Sequence, residues 1–242
     1  MQPKYFIWFC AYVLSFSCNR KISTQNSNEK TVRFSGYEWR VKDHHTLKGP
    51  GPNYWSDENV WVDSDGKLHL KLTYKDGKWY CAEVETTQKF LYGTFEFRIE
   101  GRIDSLDKNV VFACFTYPGY ALDHHHEMDI EFTKWGEQNA NNLHYTVWPA
   151  NNSARCSFET NFRLKNDRST HRFTWAPNSV LFQSLHGFSQ KDVGEFYRKI
   201  CTQNISNIAM PVLINLWLYA GNKPSHEAST EIVIAKFTYT PL

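Results

Sequence analysis

Glu127, Asp129 and Glu131 stand two residues apart in His126-Glu127-Met128-Asp129-Ile130-Glu131-Phe132. On a strand all three acids share one face, and Met128, Ile130 and Phe132 share the other. The apolar face is what a sheet buries. The acidic face needs another reason, because crowded carboxylates repel and drive each other's pKa values apart. Chemistry that uses one carboxylate and one carboxylic acid exploits that separation. Glycosidic bond cleavage is such a reaction: the carboxylate attacks the anomeric carbon while the acid protonates the leaving oxygen. Retention of configuration needs the two groups roughly 5 Å apart, whereas residues i and i+4 of a flat strand are about 13 Å apart at Cα. The strand must therefore curve concavely, with Glu127 and Glu131 leaning together over the shorter Asp129, which hydrogen-bonds one of them. The competing reading is a solvated acidic stripe, though exposed faces usually mix charge signs.

The elements that would position these acids are strands. Leu68, Leu70, Leu72 and Tyr74 alternate with polar residues, as do Phe95, Phe97 and Ile99. Asp65-Gly66 and Asp76-Gly77 lie between alternating segments, and Asp-Gly is a strong hairpin signal. Further strands are expected over 110–117, 143–148, 171–175, 180–185, 212–218 and 231–239. No long stretch keeps a helical period, no repeat is present, and no second domain is indicated. The expectation is one all-β sandwich over residues 31–242.

The 242 residues suffice for one large β domain with a substantial core. A net charge of +2 points to neither nucleic acid nor an anionic membrane as partner. Aromatic residues make up 16%, with 9 Trp and 13 Tyr; the excess suits a sugar cleft, and a large core would absorb rings too. The apolar run Tyr5 to Phe16 follows Lys4 and is too short to span a bilayer. Residues 1–17 read as a signal peptide of the bacterial lipoprotein type, with Cys18 lipidated after cleavage and 18–30 a flexible tether. Secretion without an anchor is the competing expectation. Cys81, Cys114, Cys156 and Cys201 show no metal-ligand spacing. Cys114 reads as a small core residue, and disulfide pairing among the four is open.

The heptapeptide resembles the signature of glycoside hydrolase family 16 in its uninterrupted, lichenase-like form, without the inserted residue of laminarinase-type members. The resemblance implies a jelly-roll sandwich of two antiparallel sheets with a concave substrate cleft. It implies Glu127 as nucleophile, Asp129 as assistant and Glu131 as acid/base of a retaining, endo-acting hydrolase of a β-linked polysaccharide. The leader makes a secreted, outer-surface or periplasmic location the expectation, for a monomer that uses no cofactor; the resemblance allows a structural calcium ion on the sandwich. A transglycosylase on the same fold is one alternative. A non-catalytic glycan-binding protein is another, which loss of either Glu would have signalled.

The resemblance extends to other stretches. Gly49-Pro50-Gly51-Pro52-Asn53-Tyr54-Trp55 falls where relatives border the cleft, making Asn53 and Trp55 expected sugar contacts. Glu83 is expected to bond sugar hydroxyls, but Glu85 stands where lichenases carry Arg. Phe115 and Tyr117 share a cleft-side face. His125 replaces a cleft-floor Trp and, by parity with Glu127, is expected to point at substrate. The triplet His124-His125-His126 is a weak metal-site signal, since one strand cannot aim adjacent imidazoles inward together. Asn215 and Trp217 face the cleft while Leu216 and Leu218 face the core. His144, Thr146 and Trp148 alternate and extend the cleft if their parity faces it. The stretches 171–175 and 180–185 resemble convex-side structural strands.

Overall fold

The alternating apolar residues resolve into two stacked sheets in a computed structural model describing residues 29–119, 125–151, 153–189 and 192–242. The expected leader at 1–17, Cys18, most of the tether and His124 lie outside the described residues. In chain order the strands are β1 Thr31–Phe34, β2 Tyr37–Val41, β3 His44–Lys48, β4 Asn53–Trp55, β5 Val60–Val62, β6 Leu68–Lys71, β7 Thr73–Lys75, β8 Lys78–Thr86 and β9 Gly93–Glu100. They continue as β10 Val110–Thr116, β11 Met128–Phe132, β12 Leu143–Val147, β13 Cys156–Thr160, β14 Arg168–Ala176, β15 Ser179–His186, β16 Glu195–Cys201, β17 Val212–Leu218 and β18 Glu231–Pro241. The front sheet runs β1-β2-β8-β17-β10-β11-β12-β13, with β3, β4 and β7 attached beside β8. The back sheet runs β16-β15-β14-β9-β18-β6-β5. Pairing is antiparallel apart from β4 on β8. This is the two-sheet jelly-roll sandwich.

Alternation decides which side chains fill the space between the sheets. Phe95, Phe97 and Ile99 of β9 point inward, as do Phe112 and Cys114 of β10, Ile130 and Phe132 of β11, and Ile214 and Leu216 of β17. Trp39, Trp55, Trp175 and Tyr145 are among the largest fully buried side chains. Much of the aromatic excess is therefore core.

The Asp76-Gly77 signal forms the expected two-residue hairpin between β7 and β8, with φ of 51° and 76° at its centre. Such positive φ at both positions matches the twist of the flanking strands. The alternating run from Leu68 to Tyr74 is not one strand. It breaks at Leu72, whose N–H bonds Thr230 O at 2.8 Å, and the chain passes from β6 in the back sheet to β7 beside the front one.

Candidate active site

β11 lies between β10 and β12, with Asp129 opposite Phe115 and Thr146, and Glu131 opposite Ala113 and His144. Its even-numbered residues enter the core, so Asp129 and Glu131 emerge on the open face of the front sheet. Ala113 beside Glu131 leaves space above the sheet. Glu127 precedes the strand, yet its carbonyl still accepts from Trp148 N–H at 2.8 Å, which keeps it in line with the other two acids.

That continuity ends one residue earlier. His126 has φ of 74°, a left-handed backbone uncommon outside glycine. Its N–H bonds Pro149 O at 3.3 Å and its ring bonds Ser206 Oγ at 3.0 Å. The backbone turns there, so strand parity does not reach His125. Instead of pointing at substrate, His125 donates from Nδ1 to Pro149 O at 3.2 Å and does not line the cleft.

The three acids open into a cleft of about 780 Å³. Glu83, Phe115, Tyr117, Asn215 and Trp217 line it, as expected from the sequence, and so do His144, Thr146 and Trp148 of β12 and its end. Asn53 and Trp55 do not. Both lie on β4 with side chains turned behind the cleft wall. Asn53 Nδ2 donates to Pro50 O at 2.8 Å and Leu218 O at 2.9 Å, fixing the Gly49–Gly51 rim. Trp55 is fully buried beneath Lys42, whose Nζ sits 3.9 Å from its ring centroid. Glu85 also stays out of the cleft, paired with Arg40 at 2.8 Å.

Trp135, Arg155, Ser157 and Glu159 complete the lining. The last two alternate on β13, so the period that exposed the acidic face would have found them. Trp135 sits in a turn with φ of 51° and meets Trp217 at 6.3 Å between ring centroids; no periodic signal marks it.

Burial and mutual repulsion set the charge states. Glu131 is pushed up to about 8, first by loss of water around its carboxyl and then by the charge of Glu127, with Arg155 opposing. Glu127 is pushed up to about 7 by burial and by Glu83, while a hydrogen bond with Asp129 pulls it down. Asp129 is held well above the usual carboxylate range, by burial and by both neighbours. It therefore carries a proton that it shares with Glu127, and Trp148 Nε1–H donates to its Oδ2 at 3.0 Å. The Arg155 guanidinium lies 4.9 Å over the Trp148 ring.

A second network stands beside the acids. Glu83 is held by Lys42 Nζ at 2.8 Å and by Asn215 Nδ2 at 3.0 Å. Lys42 also bonds Gly49 O at 2.7 Å, tying the rim to this carboxylate. Asn215 Oδ1 is buried without a partner, an unmet acceptor beside the cleft of a kind native interiors rarely leave. Among the described residues no group of three or more His, Cys, Asp or Glu is placed to hold a metal ion.

Residues 51–233 match the family described as glycosyl hydrolases family 16. Comparison with curated proteins finds no match. Among solved structures, the Bacillus licheniformis β-glucanase superposes with a TM-score of 0.67 at 21% identity, covering 90% of this chain and 100% of that one. A prokaryotic β-1,3-1,4-glucanase (lichenase) from a mouse hindgut metagenome gives 0.63 at 20%, covering 84% and 93%. A family 16 endo-glucanase from Bacteroides ovatus gives 0.62 at 13%, covering 84% and 94%. At these identities the likeness is one of fold.

Proposed function

The chain belongs to glycosyl hydrolase family 16, and from that membership we propose that this glycosidase cleaves internal bonds of a β-glucan with retention of configuration. The observation that carries the proposal is the trio Glu127, Asp129 and Glu131 on one open face, each with its pKa raised by burial and crowding. Glu127, held ionised by its hydrogen bond with Asp129, attacks the anomeric carbon. Glu131, the more basic of the two glutamates, protonates the leaving oxygen. Once Glu127 is esterified its charge is gone, the pKa of Glu131 falls, and Glu131 takes a proton from the attacking water.

Around that centre, Glu83 and the open Oδ1 of Asn215 suit sugar hydroxyls, and Trp217 and Trp135 offer ring faces to pyranoses. The β-glucan assignment rests on the glucanases whose fold the chain shares. The leader expected at 1–17 and Cys18 support a secreted, outer-surface or periplasmic location with a lipid anchor; loss of acyl labelling in Cys18→Ser tests the anchor.

The deciding experiment is Glu127→Ala. It should abolish turnover and leave the fold intact, and azide should restore activity by giving the inverted glycosyl azide. If the variant keeps more than a few per cent of the wild-type rate, Glu127 is not the nucleophile. A panel of soluble β-glucans and algal galactans tests the substrate class.

A further inference from the structure

β13 and β16 are the outer strands of opposite sheets, and side-chain contacts align them antiparallel across the open end of the sandwich. Tyr197 OH donates to Glu159 O at 3.0 Å. Lys199 Nζ lies 5.8 Å from the centroid of the Phe158 ring. Beyond the strands, Asn204 Nδ2 donates to Ser153 Oγ at 2.6 Å. As the contacts descend from 159 to 153 on one segment they climb from 197 to 204 on the other. Between the Phe158–Lys199 and Ser153–Asn204 contacts, this alignment sets Cys156 against Cys201.

Strand parity aims both thiols into the sandwich. Cys156 stands opposite Val147, and Cys201 opposite Val180, each partner a buried core residue. The two thiols are near enough that Cys201, after burial, raises the pKa of Cys156, and Cys201 Sγ–H also reaches Gln203 O at 3.9 Å. Cys81 and Cys114 are placed differently. They lie on β8 and β10 with β17 between them, at least about 9.5 Å apart at two strand spacings, and the register sets Cys114 level with Val84 rather than with Cys81. A disulfide needs Cα atoms within about 7 Å.

We propose that Cys156 and Cys201 form a disulfide that staples the two sheets together beside the cleft. Each thiol gives up its hydrogen, the two sulfurs join, and a small-molecule disulfide such as oxidised glutathione is reduced to two thiols. The bond closes a loop from 156 to 201, which restricts the unfolded chain. It also secures the strand that carries Ser157 and Glu159 into the cleft. The proposal stands independently of which glycan is cleaved.

The test is thiol mapping of the full chain. Protein held with oxidised glutathione is denatured, treated with N-ethylmaleimide, digested without reductant and analysed by mass spectrometry. Expected are one linked peptide pair containing Cys156 and Cys201, and the label on Cys81 and Cys114. Label on both Cys156 and Cys201, or either joined to another cysteine, overturns the proposal. Dithiothreitol should lower the Tm of the oxidised wild type by about 10 °C, and Cys156→Ser should show the lower Tm with no response to dithiothreitol. If that variant does not fold, the wild-type comparison decides alone: a Tm indifferent to reduction overturns the staple.

Discussion

The charge state of Glu131 predicts a stability that depends on pH with a definite sign. Its folded pKa is raised from 4.5 to about 8, so its contribution is fully present below pH 4.5 and is lost as pH climbs through 8. A rise of that size corresponds to about 5 kcal/mol for an isolated group. Glu131 shares protons with two neighbours and keeps part of its surface in the open cleft, so about 2–3 kcal/mol is the expected share. Glu131→Gln keeps the shape of the protonated acid and cannot ionise. It should therefore match the wild type at pH 4 and exceed it by about 2–3 kcal/mol at pH 8.5, or about 5–10 °C in Tm for a chain of this size. Thermal unfolding of both proteins from pH 4 to 9 reads the difference directly. A gap that stays flat across that range, or a variant less stable at pH 8.5, would refute the burial of this carboxyl.

kcat/KM should follow a bell, its acid limb near 7 where Glu127 ionises and its alkaline limb near 8 where Glu131 loses its proton; Asp129→Ala, which removes a bond stabilising the Glu127 carboxylate, should move the acid limb upward in a pH–rate series. Trp217→Ala should weaken binding of every accepted glycan by about 1–3 kcal/mol, measurable calorimetrically in the Glu127→Ala background. Gly51 has φ of 64°, and a Cβ there would come within 2.9 Å of Asn53 Nδ2; Gly51→Ala should cost about 1–3 kcal/mol of stability and raise KM by displacing the rim. His171 is fully buried with its pKa lowered to about 3, so the unfolded chain binds a proton that the folded chain refuses, and stability is lost as pH falls from 6.5 through 3. Together with Glu131, this places the maximum of Tm against pH between about 4.5 and 6.5.

Period-two alternation made most of the sandwich and the centre of the site readable before any coordinates. Strand β17 runs from Val212 to Leu218, as its apolar run implied, and its odd residues line the cleft. Parity holds only while the backbone stays extended. His125 was misplaced because His126 turns left-handed beside it. Leu68–Tyr74 alternates without a break although it spans two strands, because alternation is blind to a chain that changes sheets. Trp55 misled for another reason, since a loop aromatic next to a cleft and a core aromatic beneath it look alike in sequence, and only the partner of β4 distinguishes them. Trp135 and Arg155 reach the cleft from outside the strands, where no period operates.

β17 is inserted between β8 and β10, and this fixes the order in which the molecule can assemble. Glu83 and Ala113 leave a synthesising ribosome long before Asn215 and Trp217, the residues that bind them into one wall. Until residue 218 is available, the front sheet exists only as two halves with apolar inner faces and unpaired edges, and β9 likewise waits for β18. Such long-range closure makes folding slow and the unfinished chain prone to association. A chain built this way is most secure when it is kept unfolded until its last strands are present, which is the condition that passage across a membrane imposes. A cut before Val212 would remove the seam rather than an edge, and both halves of the cleft wall would go with it.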